Sequence, residues 1–119
     1  MARVMIIDNT LEHVKILTNE LKKNGHSTMG FLRGDKAIEA FKEFKPQLVL
    51  CEWQLTDKMK CWQLAHVFAK EKDRPYMVAI FRHPSALKKA LSLEFGFDEC
   101  SSKPLKVFTL LDWAGKNKY

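Results

Sequence analysis

Five short apolar runs along the chain each lead into a stretch whose apolar residues recur at helical spacing. The first run, residues 4–7 ("VMII"), is partly β-branched, which favours a strand. In "NTLEHVKILTNELKKNG" Val14, Leu17 and Leu21 return every three or four residues, Asn9 or Thr10 can cap the start, and Gly25 suits the stop. "HSTMGFL" reads as a weaker second strand. "GDKAIEAFKEFKP" reads as a helix with Ile38, Phe41 and Phe44 on one face and Pro46 beyond its end. The third run, "LVLC", ends at a lone carboxylate, Glu52, and is followed by a helix in "CWQLAHVFAKEKD" with Leu64, Val67 and Phe68 inward. "YMVAIF", residues 76–81, is a fourth strand bounded by Pro75 and Pro84. The helix "PSALKKALSLEFG" follows it, and there Pro84 suits a first helical position. "DECSS" has poor strand propensity and is assigned as the fifth strand by the rhythm of the chain; "PLKVFTLLDWAGK" is the last helix, reaching Lys116.

Strand–helix alternation of this kind predicts an α/β fold with a parallel sheet and helices on both faces. Unbroken runs such as "LVLC" and "MVAIF" fit strands buried on both sides. Ligands of such sheets bind at the carboxyl ends of the strands, where the strand order reverses. The residues there are Asp8 and Asn9, Glu52, the stretch from Ile80 to Arg82, and Ser102 with Lys103. Every buried strand must end in polar residues, so none of these carries a function alone. Two acids and a lysine from three strand ends are a constellation that the architecture brings together.

Composition narrows the classes. The 119 residues fit one domain, residues 1–119, with enough chain for one core. A hydrophobic share of 46% with 29% charged residues is that of a globular protein, and no apolar run approaches the ~20 residues of a membrane span. The N-terminus has no secretory pattern, which predicts a cytoplasmic location. Cys51, Cys61 and Cys100 have no paired spacing and read as reduced thiols. The net charge of +6 is spread among acids, as in "FKEFK" and "KEKD", and reads as solvated helix faces rather than a nucleic-acid groove. His13, His26, His66 and His83 lack metal-ligand spacing and read as surface or helix-face residues. Ser101 and Ser102 have no adjacent histidine base. Trp62, Phe68, Phe81, Phe95, Phe97 and Phe108 read as core, Trp53 and Trp113 as nearer the surface, and Gly34 and Gly96 as turn residues.

Taken together, the strand-end motifs resemble the receiver domain of bacterial two-component response regulators over about residues 3–114. "VMIIDNTLEHVKIL" is similar to the receiver's first strand and helix, with its paired acids falling on Asp8 and Asn9. "KPQLVLCEWQLTDKMKCWQLA" is similar to the third strand and its loop, with the phosphoacceptor aspartate falling on Glu52. "RPYMVAIFRHPS" resembles strand four, where a hydroxyl residue falls on Ile80. "GFDECSSKPL" resembles strand five with its Lys-Pro pair at Lys103 and Pro104. The resemblance implies a three-layer, flavodoxin-like (βα)5 fold with a five-stranded parallel sheet in the order 2-1-3-4-5. It implies a non-enzymatic signalling module whose acids hold Mg²⁺ while a histidine kinase passes a phosphoryl group to the acceptor.

The chain departs from that pattern at most active positions. Asn9 is neutral where a second acid is expected, and Mg²⁺ prefers hard anionic oxygens. Glu52 is one methylene longer than aspartate, and an error of about 1 Å in a positioned reaction costs ~10²-fold. Ile80 has no hydroxyl, and Cys100 stands where the switch aromatic is expected. Thr56 replaces a usual proline, the loop after Glu52 is one residue longer and lacks the usual glycine, and Lys58 and Lys60 add positive charge there. These losses agree with one another. They predict a pseudo-receiver that acts by protein–protein interaction, with no cofactor, only weak Mg²⁺ binding at Asp8, Asn9 and Glu52, and a Glu52–Lys103 pair that either mimics the phosphorylated state or merely neutralises leftover charge. The predicted partner is a histidine kinase or another signalling protein. It docks on the fourth helix, fifth strand and fifth helix (Lys88, Lys89, Lys106 and Trp113), a face that also allows a monomer or a weak homodimer. A residually functional Mg²⁺-dependent receiver is the alternative. A basic nucleic-acid module using Lys88, Lys89 and Lys106 is a third reading, from another class, and it requires a steep salt dependence.

Overall fold

The computed structural model describes residues 1–56 and 58–115, with the side chain of Val107 left aside. Arg3–Ile7 forms β1, Ser27–Phe31 β2, Leu48–Glu52 β3, Tyr76–Phe81 β4 and Glu99–Ser102 β5. They make one parallel sheet in the order β2-β1-β3-β4-β5, with the chain reversing direction across the sheet beside β1 and β3. The connecting helices are α1 (Leu11–Lys23), α2 (Gly34–Phe44), α3 (Cys61–Ala69), α4 (Ala86–Glu94) and α5 (Val107–Ala114).

Side chains alternate across the pleat, so each central strand serves two cores. Val4, Ile6, Leu48, Leu50, Val78 and Ile80 pack under α1 and α5 against Val14, Leu17, Leu21, Leu110 and Trp113. Met5, Ile7, Val49, Cys51, Met77, Ala79 and Phe81 pack under α2 and α3 against Ala37, Phe41, Leu64, Ala65 and Phe68. The Phe41 and Phe68 rings stack with centroids 4.1 Å apart. Burial on both faces is why these strands read as unbroken apolar runs, and why β2, at an edge, reads weakly.

Several expectations are corrected. Val67 is 41% exposed, because positions 61, 64, 65 and 68 share one stripe of α3 and 67 lies off it. Pro84 precedes α4 rather than opening it; Ser85 caps the helix by accepting the Lys88 N–H at 3.2 Å. Phe95 and Phe108 are exposed rather than core. Trp113 is 2% exposed beneath α5, in the core, so its ring is not part of a partner face. Neither Asn9 nor Thr10 caps α1 through its side chain. Gly34 begins α2 rather than a turn. Lys116, the predicted end of the last helix, lies outside the described residues.

Candidate functional site

The carboxyl ends of β1, β3, β4 and β5 put four charged side chains together. Asp8 follows β1 and is fixed by its N–H, which donates to Phe31 O at 3.0 Å. Glu52 is the last residue of β3, in register with Ile80 of β4. Lys103 follows β5, with its N–H donating to Phe81 O at 3.0 Å, and the Lys103–Pro104 bond is cis. Asp8, Glu52 and Ile80 continue the alternation of Ile6, Leu50 and Val78, which places both carboxylates at the α1/α5 side of the sheet.

The carboxylates are buried: Asp8 is 2% exposed and Glu52 1%. Buried charges persist only where opposite charges and hydrogen bonds replace water. Lys103 Nζ lies between them, 2.9 Å from Glu52 Oε1 and 3.0 Å from Asp8 Oδ2. Arg82 Nε donates to the same Glu52 Oε1 at 3.0 Å, and Arg82 Nη2 donates to Thr10 Oγ1 at 3.4 Å. The Asn9 N–H donates to Glu52 Oε2 at 3.4 Å, and the Thr10 N–H to Asp8 Oδ1 at 2.9 Å. His13 Nδ1, in the first turn of α1, bonds Asp8 Oδ2. All four carboxylate oxygens thus have a partner from the chain. Burial pushes the Asp8 carboxyl up, but the hydrogen bonds from His13, the Thr10 N–H and Lys103 outweigh it and hold it at about 2.

The remaining predicted positions surround this cluster. Ile80 is 3% exposed and presents only hydrocarbon beside Glu52. Cys100 is half-buried and packs on the α2/α3 core. Burial raises the Cys51 thiol well above its usual range, and all three cysteines are free thiols. Asn9 Nδ2 donates to Gln54 O at 3.2 Å, while Asn9 Oδ1 is buried with no partner. Trp53 turns to the other side of the sheet, against Phe81 and Trp62 at 5.0 and 5.5 Å between ring centroids. Lys60 holds its own loop, its Nζ 3.4 Å from Leu55 O, and Lys58 is exposed. Lys88 Nζ donates to His83 O at 2.7 Å, whereas Lys89 and Lys106 point into solvent. Among the described residues no cluster of three or more acidic, histidine or cysteine side chains is arranged for a metal ion, and no helix is long and apolar enough to cross a membrane.

Two contributors escaped the sequence reading. Arg82 stands at the end of β4, within the strand-end stretch, but no motif distinguishes it from a solvated arginine. His13 lies five residues after Asp8, where a strand end and the first turn of the next helix meet; that spacing was the available signal.

No protein-family model matches the sequence. The strand order and helix placement nevertheless superpose on solved structures. The chain is similar to Vibrio cholerae chemotaxis protein CheY4, with a TM-score of 0.88 over 99% of both chains at 15% identity. The fold is that of a response-regulator receiver domain. The Francisella response regulator 1452 receiver domain gives a TM-score of 0.85 over 99% of this chain and 100% of that one, at 15% identity. The BeF3-activated N-terminal receiver domain of Klebsiella pneumoniae RstA gives 0.82 over 92% of each chain, at 24% identity. At these identities the likeness is one of receiver fold.

Proposed function

We propose that this receiver fold is a signalling module whose phosphorylation site is closed permanently by its own ion pairs, and that it acts by binding a protein partner rather than by phosphotransfer. The observation that carries the reading is the position of Lys103: its ammonium bridges two buried carboxylates, with Arg82 on the same Glu52 oxygen. The negative charge that a receiver would neutralise with metal is already neutralised by the chain.

The residues do not fit a resident Mg²⁺. That ion takes near-octahedral oxygen ligands at short range, and here the oxygens of Asp8 and Glu52 are engaged by ammonium, guanidinium, imidazole and two backbone N–H groups. Asn9 Oδ1, beside this cluster, is buried without a hydrogen-bond partner, and it favours the residual metal reading. A single neutral donor cannot replace two occupied carboxylates, so that reading needs Lys103 to leave. Phosphotransfer also lacks parts: Ile80 offers no hydroxyl, and Glu52 is pinned by two cations.

The consequence for signalling runs through Arg82. By bonding Glu52, it ties the segment after β4 to the end of β3, so the approach to α4 is held in one arrangement without a phosphoryl group. The partner surface is assigned to α4, β5 and α5, where Lys89 and Lys106 are exposed beside the chain's Leu87, 72% exposed, and Phe108, 75% exposed. The test has two readouts. Acetyl phosphate with Mg²⁺ yields no phosphoryl adduct by intact mass, and Glu52→Gln raises hydrogen exchange across residues 82–85 and weakens partner binding. A stoichiometric adduct on the wild type, or a Glu52→Gln variant with unchanged exchange and partner binding, contradicts the reading.

A further inference from the structure

The opposite end of the sheet holds a cleft of about 490 Å³. It opens between the start of β1, the end of α2 and the α3–β4 turn, and is lined in part by Arg3, Phe41, Lys42, Lys45, Pro46 and Lys72. The length of a five-residue strand, about 16 Å, separates it from Asp8 and Glu52. A volume of this order is in the range of small-molecule sites.

Its charge is unbalanced. Arg3, Lys42, Lys45 and Lys72 take part in none of the ion pairs of the described residues. Glu71 and Asp73 also line the cleft without a cation partner, and Arg74 is committed to Asp98 at 2.9 Å. Four unpaired cations against two carboxylates leave the cleft positive. One of the cations is also held in place. Arg3 Nε donates to Lys45 O at 2.7 Å and its N–H to Gln47 Oε1 at 3.0 Å, so the first strand and the end of α2 are joined at the cleft mouth.

Lys45 adds an independent sign. It ends α2 in the left-handed region, at φ 51°, and it is the one described residue other than glycine with positive φ. Glycine or asparagine is usual at this place after a helix because a Cβ is unfavourable there. Non-glycine residues in that conformation concentrate at ligand sites, where the side chain is needed. Here the side chain retained is a cation facing a cleft of cations, above the apolar wall of Phe41 and Pro46.

We infer that this cleft binds a small phosphorylated organic anion of about mononucleotide size, its phosphates on Arg3, Lys42, Lys45 and Lys72 and its organic part against Phe41 and Pro46. The site is separate from the carboxyl-end cluster, so its occupancy does not depend on how Glu52 is used. The test titrates the full chain with ATP in EDTA at physiological salt, followed by amide-resolved NMR and calorimetry. Saturable one-to-one binding is expected, with shifts confined to residues 3, 41–47 and 71–74. Lys45→Gly, which relieves the backbone and raises the unfolding temperature, weakens binding about tenfold or more by removing a charge-assisted contact; Lys42→Ala does the same, and Glu52→Gln leaves it unchanged. Absence of saturable binding, shifts centred outside the cleft, or Lys45→Gly binding as tightly as the wild type would overturn the proposal.

Discussion

The two ends of the sheet handle charge in opposite ways. At the carboxyl end two carboxylates are almost completely buried, and every one of their oxygens meets a cation or an N–H of the same chain. At the amino end four cations face an open cleft, and among the described residues no carboxylate pairs with them. Burial explains the first arrangement, because an unpaired buried charge is too costly to keep. Exposure permits the second, because solvated lysines need no partner and exposed pairs contribute little. The contrast separates two meanings of a charged cluster. Internally completed charge holds structure in one state; uncompleted charge around a cleft leaves room for a ligand.

The contrast breaks first at Lys103. Lys103→Met leaves two buried carboxylates sharing less positive charge, and it is expected to destabilise the fold by about 3 kcal/mol, read from the denaturant midpoint. A loss below about 0.5 kcal/mol would mean that the buried pair is not what holds the strand ends together.

Next in size is the response to acid. The Asp8 carboxyl is held at about 2 in the folded chain against 3.8 ordinarily. A lowered folded pKa contributes stability above the unfolded value, and that stability is lost as pH falls toward the folded one. About 2 kcal/mol therefore disappears between about pH 4.5 and pH 2. Urea midpoints across this window should fall more steeply for the wild type than for Asp8→Asn, and parallel slopes would contradict the pairing. Smallest is the amino end. Lys42→Ala and Lys72→Ala should each change stability by less than about 0.5 kcal/mol, since neither side chain is buried or paired. A larger loss in the absence of ligand would make those lysines structural.

Much of this was legible in the residues. The alternation of runs and helices gave five strands and five helices because strands buried on both faces are apolar throughout, and even the poor strand "ECSS" was placed by rhythm. The strand-end rule pointed to Asp8, Glu52 and Lys103, which share the α1/α5 side through simple parity. Arg82 was harder to find, because an exposed arginine after a strand looks the same whether or not it turns back onto a buried acid. Trp113 misled because tryptophan suits both surfaces and cores, and only the stripe shared with Leu110 and Ala114 decides. The amino-end cleft had no motif at all: Arg3, the end of α2 with Lys42 and Lys45, and Lys72 are far apart in sequence, and only the fold gathers them.

The most direct measurement follows Mg²⁺ binding at the carboxyl end by amide-resolved NMR, with Trp53 emission as a parallel signal. A site closed by Lys103 and Arg82 predicts no saturable shift at Asn9, Trp53 or Lys103 at Mg²⁺ concentrations well above physiological. Saturable shifts centred on those residues in the wild type would contradict it, because they would mean that the ion displaces the chain's own cations from Asp8 and Glu52.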